Sequence, residues 1–195
     1  LNTKECVGGI VGAAETSSVE NCVSFVNITI RDASYSSSYA PCIGGVVGKI
    51  NDTYQNTINK VTGCSFRGAI ETINTSSSKL TKGVAGIVGR IQGPAQLQRH
   101  ANYGDITADK AYGVGGIVGS INVYDDDVSI TECTNWASIS NDPDGIVDGK
   151  GGTGGIVGVA DGSAANLTLA NCYNTGTITA SKVAGGILGG ENGDM

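Results

Sequence analysis

Along Asn171–Thr179, NCYNTGTIT, two sets of side chains alternate. Cys172, Asn174, Gly176 and Ile178 share one parity, and Tyr173, Thr175, Thr177 and Thr179 take the other. A period of two predicts a strand with one face turned inward. Related phrases occur as NCVSFVNIT at Asn21–Thr29, GCSFRGAIE at Gly63–Glu71, RHANYGDIT at Arg99–Thr107 and ECTNWASIS at Glu132–Ser140. Each aligns a Cys, a small or apolar residue four places later, and Ile two after that. The positions are Cys22/Val26/Ile28, Cys64/Gly68/Ile70, His100/Gly104/Ile106, Cys133/Ala137/Ile139 and Cys172/Gly176/Ile178, with His100 standing where the others have Cys. Flanking Gly and Asn divide these stretches into short strands.

A second phrase, apolar throughout, falls between them. It reads GGIVG at Gly8–Gly12, GGVVG at Gly44–Gly48, AGIVG at Ala85–Gly89, GGIVG at Gly115–Gly119 and Gly154–Gly158, and GGILG at Gly185–Gly189. It predicts a strand entered by a Gly pair, which permits either close backbone approach or positive φ. No stretch shows helical periodicity. The starts at 8, 44, 85, 115, 154 and 185 give steps of 36, 41, 30, 39 and 31 residues. Length varies only in connections such as Arg31–Ala40, Asn51–Lys60, Glu71–Lys82 and Asn141–Gly152, while the phrases stay constant. Fixed stacked parts with free loops are the mark of a solenoid. The chain therefore predicts an all-β, parallel β-solenoid of about five to six coils, 30–41 residues per coil, with two or three strands in each. Neighbouring coils would lie about 4.8 Å apart and stack equivalent residues, so Ile28, Ile70, Ile106, Ile139 and Ile178 form one aliphatic ladder. Gly68, Gly104 and Gly176 would mark a corner too crowded for a side chain.

Composition agrees with many tight corners around a thin aliphatic core. There are 31 Gly and 3 Pro, aromatics are 5% and charged residues 15%. The apolar share of 39% is too high for a disordered chain. A net charge of -6 without a Lys/Arg cluster argues against nucleic acid as a partner. No apolar run reaches the length of a membrane span. The opening LNTKECVGG has neither an initiator Met nor a signal segment, and reads as a processed protein or a piece of a longer one forming a single solenoid domain over residues 1–195.

The alternation of GGIVG with NCYNTGTIT resembles the GLUG-motif repeat family of large bacterial surface and secreted proteins. The resemblance runs over essentially the whole chain and is strongest at Cys133–Gly158 and Asn171–Gly189. It implies a β-solenoid-like region and an extracellular setting. It implies no catalytic residues.

The six cysteines fall into neighbouring units. Cys6 and Cys42 each precede a glycine phrase by two residues, and Cys22/Cys64 and Cys133/Cys172 are equivalent positions in consecutive units. They read as small buried hydrophobes, as up to three disulfides, or, least well, as a zinc site, which lacks a CxxC and has only His100 to add. Asp142, Asp144 and Asp148 of DPDGIVD suggest a calcium loop, although Ser140 and Gly151 leave an EF-hand-type loop incomplete. The alternative there is an ion-free Asp/Pro/Gly turn. Asn27, Asn51, Asn74 and Asn166 head sequons for N-glycosylation.

These features predict a non-catalytic structural or adhesive module at the cell surface or outside the cell: a stalk, a scaffold or a filament subunit. Its uncapped coil ends would pair with neighbouring domains or with copies of itself. The alternative is a carbohydrate-binding or carbohydrate-cleaving β-helix, with a groove lined by Tyr103, Tyr112, Tyr124 and Trp136.

Overall fold

The computed structural model describes residues 6–32, 41–51, 57–74, 80–142, 151–161 and 166–192. The fourth coil shows the plan. Its strands are Ala111–Gly115, Val118–Asn122, Asp127–Thr131, Thr134–Asn135 and Ile139–Asp142. Each belongs to a different sheet, named first to fifth in that order. The first and second sheets hold six strands, the other three hold five, and neighbours in a sheet come from consecutive coils. The pairing is parallel from coil to coil. Five full coils are followed by Ala184–Gly185 and Leu188–Asn192, which extend the first and second sheets.

Register follows the phrases. Ile28, Ile70, Ile106, Ile139 and Ile178 are successive partners in the fifth sheet. Val61, Leu97 and Ile130 do the same in the third. The inward parity persists across strand breaks: Cys133, Asn135, Ala137, Ile139 and Asn141 are all buried, while Glu132, Trp136 and Ser138 are exposed. Complete burial of one such Ile contributes about 1.5–3 kcal/mol. Ile106 and Ile139 are buried, but Ile178 in the fifth coil is half-buried. Ile28 at the opposite edge of the sheet is buried like the inner members.

Five strands per coil exceed the two or three expected, because two kinds of corner break the chain. The glycine phrase is the first, and it is a corner rather than a strand. In the fourth coil Gly116 and Ile117 form the bend between Gly115 and Val118. Hydrogen bonding to the next coil continues through it: the N–H groups of Ile117 and Val118 both donate to Ile156 O, at 3.0 and 2.9 Å. The closing glycine serves close approach. A Cβ on Gly89 would lie 2.6 Å from the carbonyl carbon of Ile43 and from Gly48 O, in the coil before.

The second corner precedes the Cys/His position, and sequence patterning did not single it out. Asn21, Gly63, Arg99, Glu132 and Asn171 all have φ between +53° and +64°. Asn and Gly adopt this region readily, whereas Arg and Glu do so at a cost of roughly 1–2 kcal/mol. Arg99→Gly is therefore expected to raise stability by about 0.5–1 kcal/mol, after allowance for the greater freedom of Gly in the unfolded chain. Chemical denaturation of the two proteins checks this; an equal or lower midpoint would show that the corner is unstrained.

Candidate functional site

Inside the coils, the Asn of the repeated phrase builds a hydrogen-bonded row. Asn102 Nδ2 donates to Asn135 Oδ1, and Asn135 Nδ2 donates to Asn174 Oδ1, each at 2.7 Å. Asn135 Nδ2 also reaches Ala137 O at 2.9 Å, and Asn102 Oδ1 accepts Gly104 N–H at 3.1 Å. These amides satisfy one another and the nearby backbone, so the row is structural. Phe66 and Ser24 replace Asn in the second and first coils, and the buried Ser24 hydroxyl has no partner among the described residues.

One step earlier in the chain runs the ladder Cys22, Cys64, His100, Cys133, Cys172. His100 is buried, and its Nδ1 accepts the Cys64 N–H at 3.1 Å while Nε2 lies 2.9 Å from Val61 O. Those partners assign the neutral tautomer with hydrogen on Nε2. Burial then pulls the His100 pKa down to about 4. Cys133 and Cys172 are free thiols in contact. The Cys133 thiol donates to Thr131 O at 3.1 Å, and the neighbouring Cys172 sulfur, together with burial, raises the Cys133 pKa while Cys133 lowers that of Cys172. Cys22 and Cys64 are also free thiols one coil apart, and burial raises the Cys64 pKa. Cys6 and Cys42 are joined by a disulfide across the first two coils, with a Cα–Cα distance of 4.5 Å.

The four aromatic residues expected to line one groove are separated. Tyr103 and Trp136 occupy equivalent exposed positions after the fourth sheet, where Arg67 covers the Tyr103 ring at 4.3 Å and Tyr173 meets Trp136 edge-on at 5.6 Å. Tyr112 is buried in the first sheet, beneath Lys82 and bonded to Asp161. Tyr124 stands exposed at the corner between the second and third sheets. Tyr103 and Trp136 share one outer face, and neither Tyr112 nor Tyr124 lies on it.

Of the sequon residues, Asn27 and Asn166 are exposed and Asn51 is half-buried. Asn74 is buried, with its Nδ2 donating to Asp109 O at 2.6 Å. Asp142 ends a fifth-sheet strand and is exposed, while Asp144 and Asp148 lie outside the described residues. Among the described residues no three His, Cys, Asp or Glu side chains converge on a metal position, and no helix is long and apolar enough to cross a membrane.

A polar row overlooked in the sequence runs along the outside. Glu15, Asn51, Gln92, Asn122 and Asp161 directly follow the register partners Ala14, Ile50, Ile91, Ile121 and Ala160, which puts them at one position of five successive coils. Each falls three residues after the closing Gly of its phrase, so aligning the phrases could have revealed it. The first four line a groove of about 400 Å³ together with Lys49, Tyr124 and Asp126. The side-chain amides of Asn51 and Gln92 make no hydrogen bond with other described residues, whereas Asn122 Oδ1 accepts from Arg90 Nη2 at 3.1 Å. Burial, followed by the charge of Arg90, lowers the Lys49 pKa.

This unbroken parallel stacking defines a β-solenoid repeat module. Its first coil carries a known repeat: residues 4–29 match the family described as the GLUG motif. The match falls on the opening unit, not on the units between Cys133 and Gly189 whose phrases look closest to the motif. No curated protein and no solved structure matches the chain.

Proposed function

We propose that the chain is a non-catalytic structural or adhesive module of an extracellular or cell-surface protein. The observation that carries this reading is the Cys6–Cys42 disulfide within a solenoid of unbroken register. A disulfide between coils persists in an oxidising compartment and is uncommon in a reducing one. A continuous stack of coils supplies length and stiffness, because each coil buries its face against the next. Ile10 is exposed on the first coil, whereas its equivalent Val46 in the second is buried, and Val183 is exposed at the other end. These apolar ends, with open strand edges, suit stacking against a neighbouring module or another copy of the chain.

An antibody against this chain should label intact cells of the source. Peptide mapping without reductant, on protein recovered from that surface or from the medium, should find Cys6 joined to Cys42. Labelling that requires permeabilised cells, with Cys6 recovered as a free thiol, would overturn the proposal.

A further inference from the structure

The row of Glu15, Asn51, Gln92 and Asn122 has three properties that interior packing does not require. It is straight, because strand register sets it, and its step is the inter-coil spacing of about 4.8 Å. Its amides at Asn51 and Gln92 are half-buried without protein partners among the described residues. It also faces a concave space of about 400 Å³, within the size range of small-ligand sites, roughly 300–1,000 Å³.

The lining selects a ligand chemistry. Each primary amide presents two donors and a carbonyl acceptor in one plane, which matches adjacent hydroxyls that both donate and accept. Tyr124, 66% exposed, offers an apolar ring beside a polar floor, the combination that packs on the C–H face of a sugar. Glu15 and Asp126 against the single Lys49 leave the lining with one net negative charge, which disfavours a polyanion. A repeating row favours a repeating ligand whose units advance by nearly one coil. The extended pyranose chain of a β-linked polysaccharide does so.

We propose that this groove binds a linear, neutral glycan lying along the solenoid axis, with its hydroxyls on Asn51, Gln92 and Asn122 and one sugar face on Tyr124. The site is distinct from the exposed Tyr103–Trp136 face. It goes beyond the surface-module reading, which rests on the inter-coil disulfide and the unbroken register and would survive the loss of this proposal.

The test is titration calorimetry on the full chain, made in a host that does not attach N-glycans so that Asn51 stays unmodified. The probes are β-1,4-linked glucose and N-acetylglucosamine oligomers of two to six units, with oligogalacturonate as the anionic counterpart. At least one neutral series should bind, with affinity rising with length and then levelling once the groove is filled. Gln92→Ala and Tyr124→Ala should each raise Kd about tenfold, the effect of losing a paired hydrogen bond or a stacked ring, with unchanged thermal unfolding. Trp136→Ala, on the other face, should leave Kd unchanged. No binding by either neutral series, preference for the anionic oligomer, or binding indifferent to Gln92 and Tyr124 would each overturn the proposal.

Discussion

Gly116→Ala is expected to destabilise the protein by about 3 kcal/mol, whereas Gly186→Ala changes stability by no more than about 0.5 kcal/mol. The two glycines hold the same place in the phrase, and neither has positive φ. Their surroundings differ. A Cβ on Gly116 would enter the Asn135 side chain, 2.6 Å from Cγ and 2.7 Å from Cβ, and would collide with Gly155 O. Neither obstacle can yield cheaply. Asn135 is held by Asn102 and Asn174, and Gly155 belongs to the backbone of the next coil, where its N–H donates to Gly185 O. A Cβ on Gly186 meets nothing within 4 Å. Urea denaturation of the two variants beside the parent chain measures both effects, provided the slope m is shared. Equal midpoints for the two variants would show that the glycines are kept for a reason other than space between coils.

The stability contributed by a neutral His100 is expected to disappear as the solution is acidified from pH 7 to pH 4. The folded pKa is lowered from the ordinary 6.5 to about 4. Between those values the unfolded chain binds a proton that the folded chain does not, so stability falls as pH falls through this window. It becomes constant with respect to this group below about 4. The total is about 3 kcal/mol, since one pKa unit corresponds to 1.36 kcal/mol. The structural cause is specific. Nδ1 receives the Cys64 N–H, and a proton there would set one donor against another in a buried place. Carboxylates titrate over the same range, so the quantity to measure is the difference between the parent and His100→Gln at each pH. A constant difference from pH 7 to pH 4 would mean that the imidazole opens to water instead of staying neutral.

The coil count was legible because stacking demands like on like. The Ile of five phrases and the apolar pairs of six glycine phrases repeat because each packs on its equivalent one coil away, and strand register places them so. Part of the outside was legible too. Glu15, Asn51, Gln92 and Asn122 keep a fixed distance from the closing glycine of the phrase, a signal obscured because amides and carboxylates do not look like one repeated letter. The left-handed corner was masked in the same way, since Arg99 and Glu132 stand among Asn and Gly.

Sequence by itself determined the inward parity of each strand, the number of coils and the residues that stack. Periodicity records which side chains must avoid water, and it does so locally. Tertiary structure decided that GGIVG bends rather than extends, and that Tyr103 and Trp136 part from Tyr112 and Tyr124. It also decided that a Cβ would collide at Gly116 and meet nothing at Gly186, and that four polar residues from four coils line one groove. The physical reason is common to all of these. A single coil buries little by itself, so a residue's space, partners and direction are fixed largely by the coils above and below it, which lie 30 to 41 residues away in the chain.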